Sequence, residues 1–193
     1  MTRAASRNFR TQETAEVNEL DLSSQEKTRK DPAFRTASEV GDFMLEVTSR
    51  ALMGGDDATF LDRFALPLTI GTYEGEQVIE SRGALLKVLR GVQDFLRRNN
   101  IDLIDRRTVD AEFLSPDKVL ATHESRYLCK GQQIGEVKLC CGTIERFDGF
   151  WMITSNDYAV SDAPSLNRAL LGRADIKQSP TDGDHTDMKI KEA

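Results

Sequence analysis

The second half of the sequence consists of long runs in which apolar and polar residues alternate, separated by short turn signals. Asp148-Gly149 separates "QIGEVKLCCGTIERF" from "FWMITSNDYAV", and Lys130-Gly131 separates "KVLATHESRYLC" from the first of these runs. The earlier run "IDLIDRRTVDAEFL" ends at a Ser-Pro-Asp turn. Asp-Gly between apolar runs is the strongest short signal of a β-hairpin. The pattern therefore predicts a meander of long antiparallel strands.

The residues before this meander show the 3.6-residue apolar spacing of amphipathic helices. Gly54-Gly55 ends the first predicted helix, Asp56 caps a short second one and Ser81 caps a third. Two short strands are expected around Glu74-Gly75 in "LTIGTYEGEQVIES". A short closing helix is expected in "PSLNRALLG". Helices followed by a run of strands give an α+β fold class.

Three regions differ in composition. Residues 1–33 and 173–193 are rich in charge and poor in aromatic residues, so we expect a flexible N-terminal arm and a flexible C-terminal tail. Residues 34–172 carry the periodic pattern and form the expected single domain. One of the two histidines, His185, falls in the tail.

Composition and motifs argue against several classes of protein. The net charge of −6 is opposite to that of a nucleic-acid-binding surface, and no apolar run reaches the roughly 20 residues of a membrane span. Three cysteines in no framework spacing favour a reducing, cytoplasmic location. We expect no metal, because ligand spacings such as CxxC are missing, and no nucleotide cofactor, because phosphate-binding glycine motifs are missing.

The stretches "DDATFLDRFALPLTI", "EGEQVIESRGALLKVL" and "RFDGFWMITSNDYAV" resemble the nuclear-transport-factor-2-like superfamily. Ketosteroid isomerase and the SnoaL-like polyketide cyclases share this fold. The resemblance implies a cone-shaped, curved antiparallel sheet wrapped around three N-terminal helices, with a short C-terminal helix. The superfamily includes isomerases, dehydratases, transport factors and dimerisation modules, so the fold does not select a function.

Side chains alternate between the two faces along a strand, and a two-residue turn fixes which residues of neighbouring strands are paired. The two tight turns therefore determine which residues of successive strands share a face. Trp151, the only tryptophan, marks the face that the helices should cover. The predicted register places His123 on this inner face, opposite Lys138, with Tyr127, Ile153 and Asp157 on the same side. The outer face would carry a mixed set that suits an isologous homodimer interface. That outer set includes Leu120, Leu139, Met152, Asn156 and Tyr158.

His123 is the candidate general acid or base, with Asp157 or Asp110 to orient it. The candidate ligand pocket is lined by Tyr127, Trp151, Ile153, Phe43 and Val47. The alternative is that His123 only fills polar space beneath the helices. The catalytic groups of ketosteroid isomerase have no counterpart that could be matched residue by residue. Arg97, Arg98, Arg106 and Arg107 alternate with aspartates and are interpreted as a solvated face.

These observations favour a dimeric protein that binds a small apolar or carbonyl-containing molecule, without a cofactor, nucleic acid or membrane. Whether it is an enzyme stays open, with isomerase, cyclase and lyase as the reaction classes that fit. The alternatives are a non-catalytic binding or scaffolding module and a partner that resembles an oxygenase small subunit.

Overall fold

The computed structural model of the protein describes residues 30–173. Residues 174–193 of the predicted tail, with His185, and residues 1–29 of the predicted arm lie outside the described residues. The helices are α1 (Ala37–Gly54), α2 (Asp57–Leu61), α3 (Arg82–Arg98) and α4 (Pro164–Leu170). The strands are β1 (Phe64–Thr72), β2 (Gly75–Ile79), β3 (Leu103–Ser115), β4 (Lys118–Cys129), β5 (Gln132–Gln133), β6 (Lys138–Phe147) and β7 (Phe150–Ala159).

The strands form one curved, unclosed sheet in the order β2-β1-β7-β6-β4-β3, and the short β5 pairs with β4. The α+β fold class predicted from the sequence is confirmed. The sheet is mixed rather than wholly antiparallel, because β1 runs parallel to β7. Since β1 precedes α3 in the chain and β7 ends the meander, this pair joins the N-terminal half of the domain to the C-terminal half.

Helices α2 and α3 begin after the predicted capping residues Asp56 and Ser81, and α1 ends at the predicted Gly54-Gly55. The Thr36 hydroxyl accepts a hydrogen bond from the backbone N–H of Glu39, whose carboxylate in turn accepts from Thr36, which forms a complete capping box. Gly55 ends α1 with a φ of 73°, a conformation that costs glycine little. The inner faces of α1, α3 and α4 bury Val40, Met44, Leu85, Leu89 and Leu166 against the sheet.

Both predicted two-residue hairpin turns are confirmed. Lys130 and Gly131 have φ values of 50° and 78°, and Asp148 and Gly149 have values of 52° and 93°. Positive φ at both central residues is the mark of a type I′ turn, whose twist matches that of the strands. Cys129 therefore lies opposite Gln132, as expected.

The register between β4 and β6 differs from the prediction. His123 lies opposite Cys140, not Lys138. The difference arises because the chain between β5 and β6 is irregular: the backbone N–H of Ile134 still donates to the Tyr127 carbonyl, and Gly135 has a φ of 68°. A shift of two residues leaves the side chains of β4 and β6 on their predicted faces.

Asp31, within the predicted arm, makes several hydrogen bonds to the domain. The carboxylate of Asp31 accepts two hydrogen bonds from Arg63 Nη1, at 3.0 and 2.7 Å, and one from the backbone N–H of Trp151, at 2.7 Å. The Asp31 N–H donates to the carbonyl of Gly149 at 3.1 Å. This aspartate thus fixes the entering chain to the β6–β7 hairpin, and the domain includes it.

None of the helices in residues 30–173 is both long and apolar enough to cross a membrane.

We expect Asp31→Ala to lower the free energy of unfolding by about 3 kcal/mol, because it leaves the largely buried Arg63 without its partner. Glu46→Ala is the matched control, since Glu46 pairs with Arg50 where both side chains are well exposed. Its loss should cost under about 1 kcal/mol. Urea unfolding of both variants measures the difference, and equal small losses would contradict the anchoring role of Asp31.

Candidate ligand-binding site

His123 lies on the helix-covered face of β4, as predicted, and its side chain is 8% exposed. It borders a small interior cavity of about 30 Å³ between α1 and the sheet. Gly41 and Met44 of α1 line this cavity from above, and Thr108 and Asn156 line it from the sheet. The histidine is therefore an interior group with space beside it.

The nearest polar partner of His123 is Arg106 rather than a carboxylate. The distance from Arg106 Nη2 to His123 Nε2 is 3.3 Å. A guanidinium only donates, so Nε2 accepts and the ring proton is on Nδ1. Burial, reinforced by the charge of Arg106, lowers the pKa of His123 to about 3. The imidazole is therefore neutral at physiological pH.

Asp110 does not reach His123. Ser115 lies opposite Lys118 at the turn, but Leu114 and Val109 are extra residues in β3 that interrupt its register with β4. Each such bulge shifts the strand by one residue. Asp110 consequently lies opposite Thr122 and is exposed, while Thr108 occupies the position opposite His123.

Asp157 is also on the outer face, and the predicted alternation of β7 is wrong beyond Ile153. Ile144 lies opposite Ile153 but Thr143 lies opposite Ser155, so Thr154 is an extra residue. Asp157 is therefore exposed. The bulge turns Asn156 and Tyr158, which were assigned to the outer face, toward the interior.

Glycine makes room for the inward turn of Asn156. A Cβ atom on Gly142, which pairs with Asn156 across the strands, would lie 2.2 Å from Asn156 Oδ1. The Asn156 side-chain amide donates to Tyr158 Oη at 3.2 Å. These two residues thus add a polar pair to the inner face.

A second interior cavity, of about 70 Å³, lies farther along the same face. We call it the main cavity. The polar groups that reach it are Thr48, Arg106, Ser125, Tyr127, Asn156 and Tyr158, and its remaining lining residues are apolar. Those apolar residues include Leu52, Phe60, Ile70, Leu85, Val88, Leu89, Val92, Ile153 and Leu166. Of the predicted pocket residues, Tyr127 and Ile153 line this cavity.

Trp151, Phe43 and Val47 do not line either cavity. Trp151 is buried near the β6–β7 turn, where the guanidinium of Arg146 lies 5.8 Å from the ring centroid. Phe43 packs on the ring of Phe34, with centroids 5.1 Å apart. The face of α1 that meets the sheet carries Met44, Thr48 and Leu52 instead, one helical step away from Phe43 and Val47.

The two tyrosines of the main cavity are protonated hydrogen-bonding groups. Burial raises the pKa of Tyr127 to about 12 and that of Tyr158 further still. Burial likewise raises the pKa of the Cys140 thiol, which leaves it a poor nucleophile. Neither tyrosine is ionised at neutral pH, so each phenol keeps a proton that it can donate.

Arg106, which the sequence analysis assigned to a solvated face, lies at the interior cavities instead. It lines both cavities and an outer groove between α1 and β3. The sequence could have indicated this position. If Asp110 lies opposite His123 on the inner face, Arg106, four residues earlier on the same strand, also faces inward. The bulges at Leu114 and Val109 together preserve this placement, and Arg106 lies opposite Ser125.

Within residues 30–173 no three His, Cys, Asp or Glu side chains are grouped in a way that could hold a metal ion.

We expect acid to destabilise the protein partly through His123. The pKa is about 3 in the folded state and about 6.5 when the chain is unfolded, so the unfolded chain binds the extra proton. The stability contributed by keeping this ring neutral is complete above pH 6.5 and is lost as pH falls toward 3. The slope is about 1.4 kcal/mol per pH unit within that window.

Urea unfolding at pH 6, 5 and 4 measures this slope. His123→Gln retains an acceptor for Arg106 but does not titrate, so its stability should fall less steeply with pH than that of the unmodified protein. Parallel pH profiles would contradict the burial of a neutral histidine.

No protein-family model matches the chain, and no curated protein matches it. Among solved structures, one described as a calcium/calmodulin-dependent protein kinase type II association domain from Thiobacillus denitrificans is 10% identical, with a TM-score of 0.52. The match covers 68% of this chain and all of the other (100%). A protein of the same description from Xanthomonas campestris is 18% identical, with a TM-score of 0.50 and coverage of 70% and 96%.

A variant of a protein named Rd1NTF2 is 13% identical, with a TM-score of 0.50, and the match covers 62% of this chain and 96% of that chain. At these identities the likeness concerns the fold and not the activity. It agrees with the element order, the curved sheet and the helices described above. The chain therefore has the nuclear-transport-factor-2-like fold.

Proposed function

We propose that the protein binds a small, largely apolar molecule in the main cavity. One observation supports this proposal above the others: apolar side chains from helices and sheet surround an interior space into which several polar groups converge. Binding sites for small molecules have this composition, with apolar walls that supply affinity and a few polar groups that fix orientation. A nuclear-transport-factor-2-like fold with such a cavity is suited to ligand binding.

The size of the cavity limits the ligand. Pockets for drug-sized molecules occupy about 300–1,000 Å³, whereas this cavity measures about 70 Å³. An engineered apolar cavity of about 150 Å³ holds benzene. We therefore expect a compact ligand with only a few carbon atoms inside the protein.

The state of the ionisable groups favours binding over proton-transfer catalysis. A general base works best when its pKa is near the working pH, and the pKa of about 3 makes His123 a weak base. Asp110 and Asp157, the other candidate catalytic residues, are exposed on the outer face. Isomerase, cyclase and lyase reactions that begin with removal of a proton would need a base that faces the ligand, and both aspartates face away from the cavities. We propose that His123 orients Arg106.

Native mass spectrometry of protein purified from its source tests for a bound small molecule. In Val92→Phe the larger ring should fill the main cavity, so the bound molecule should be lost while the protein stays folded. Val78→Phe is the matched control, because it makes the same enlargement at a residue that is 54% exposed on the edge strand β2, and it should retain the ligand. Equal ligand occupancy in both variants would contradict the assignment of the cavity as the binding site.

We also propose that the outer face of β4, β6 and β7 forms a homodimer. The observation in favour is that apolar side chains lie at both ends of this face. Leu139, at the start of the middle strand β6, is 45% exposed, and half-buried Leu120 and Met152 lie toward the other end of that strand. Two copies related by a two-fold axis would cover these side chains. Dimerisation through this face leaves the interior cavities unchanged.

Light scattering tests the homodimer. The protein should show about twice its chain mass of 21.6 kDa at micromolar concentration. Leu139→Asp should shift the protein to monomer, because burial of an unpaired charge is costly. Val78→Asp, at a residue 54% exposed on the edge strand β2, should leave the mass unchanged. A concentration-independent monomer would refute the proposal.

A further inference from the structure

Arg106 lines both interior cavities and carries a formal positive charge. Within residues 30–173, the side chains that line them include no aspartate, glutamate or lysine, and His123 is neutral. Arg106 also borders the outer groove, which carries Asp42, Glu46 and Asp105. Asp42 accepts a hydrogen bond from the backbone N–H of Thr108, Glu46 pairs with Arg50, and Asp105 pairs with Arg126. Among the side chains that the structure describes, the positive charge of Arg106 therefore faces no negative group inside the two cavities.

The hydrogen bonds of Arg106 go to neutral acceptors. Its Nη1 donates to the hydroxyls of Thr48 and Ser49, each at 3.2 Å, and its Nη2 lies against His123. A guanidinium carries five N–H donors, so these contacts do not exhaust its capacity. Among the described residues, no carboxylate lies within ion-pairing distance of Arg106.

The adjacent Arg107, whose side chain faces outward from the same strand, provides a comparison for Arg106. Arg107 pairs with Glu124 on the outer face of the sheet. Arg126 reaches Glu124 as well, and it lies 3.5 Å from Asp105. Both outer arginines are thus compensated by carboxylates, whereas the inner one, half-buried beside two cavities, is not.

A partly buried charge without a counter-charge is unfavourable, because the low-polarity surroundings do not replace the water it has lost. An anion in the main cavity would remove this penalty. Carboxylate matches the planar guanidinium geometry and forms two parallel N–H···O bonds with it. The protonated hydroxyls of Tyr127 and Tyr158, which line the same cavity, add further donors.

We propose that the ligand of the main cavity is a short-chain carboxylate whose carboxyl group pairs with Arg106 and whose alkyl portion packs among Leu85, Leu89 and Val92. This inference rests on the proposed function and specifies its ligand class. The volume of about 70 Å³ favours a chain of only a few carbons. A phosphate ester is less suitable, because its second charge would face the apolar wall.

Butyrate and butyramide test the proposal, since they have the same number of heavy atoms and differ in charge. Chemical-shift changes at the backbone amides of Ser125 and Tyr127 in NMR titrations, at matched ionic strength, give the two dissociation constants. We expect butyrate to bind in the millimolar range and about tenfold or more tightly than butyramide, because charge-assisted hydrogen bonds are the stronger ones.

Arg106→Gln should bring the two dissociation constants to within about twofold of each other. Arg107→Gln, which removes a neighbouring guanidinium from the outer face, should keep the preference for the acid and so serves as the matched control. Arg106→Lys retains the charge and should keep part of the preference. It also guards against a failure of Arg106→Gln to fold.

The outcomes separate this inference from the proposed function. Equal affinity for butyrate and butyramide in the unmodified protein would overturn the carboxylate proposal and leave the cavity as a site for a neutral ligand. A preference that survives Arg106→Gln would also overturn it. Binding of neither compound would overturn it too, and the native mass spectrometry of Val92→Phe would then decide the proposed function independently.

Discussion

The two-residue repeat of strand β4 is the constraint on which the interior of the protein depends. Val119, Ala121, His123 and Ser125 are buried in succession, while the side chains between them face outward. The helices cover this inner face, so each residue on it must either pack against apolar neighbours or find a hydrogen-bonding partner inside. The strand changes at His123 from apolar to polar, and the two cavities lie at the polar part.

Arg106 and His123 act together at this point. Burial lowers the pKa of the imidazole, and the neighbouring guanidinium lowers it further, which removes the histidine as a base. The neutral ring in turn accepts a hydrogen bond from the guanidinium and holds it beside the cavities. The contact between Arg106 and His123 therefore has two effects. It makes His123 a weaker base, and it holds the guanidinium of Arg106 where a ligand in the main cavity could bind it.

The sequence was sufficient to predict the fold class, the two type I′ turns and the inward placement of His123, because turn residues and side-chain alternation are local properties. It was not sufficient to predict the bulges. Extra residues at Leu114 and Thr154 have no distinctive residue type, and each moved a predicted aspartate out of the site. The sequence predicted Phe43 and Val47 of α1 to face the sheet, but Met44 and Thr48 do so instead. The helix is rotated by about one residue from the expected orientation, because that orientation depends on packing with the sheet.

Arg106 was misread for a different reason. A charged residue among alternating charges is usually solvated, and only its pairing with the inward-facing Ser125 distinguishes it from Arg107. Gly142 is a second feature that composition could not interpret, because its role depends on the partner strand. It admits Asn156 to the interior only once the bulge in β7 has turned that residue inward.

A crystal structure of the protein grown with butyrate is the most direct measurement of the central claim, that the charge of Arg106 faces an interior binding site. The expected result is a carboxylate paired with the Arg106 guanidinium, an alkyl chain within the main cavity and His123 still in contact with Nη2. An Arg106 side chain turned into the outer groove and paired with Asp42, Glu46 or Asp105, above a closed and empty interior, would contradict it.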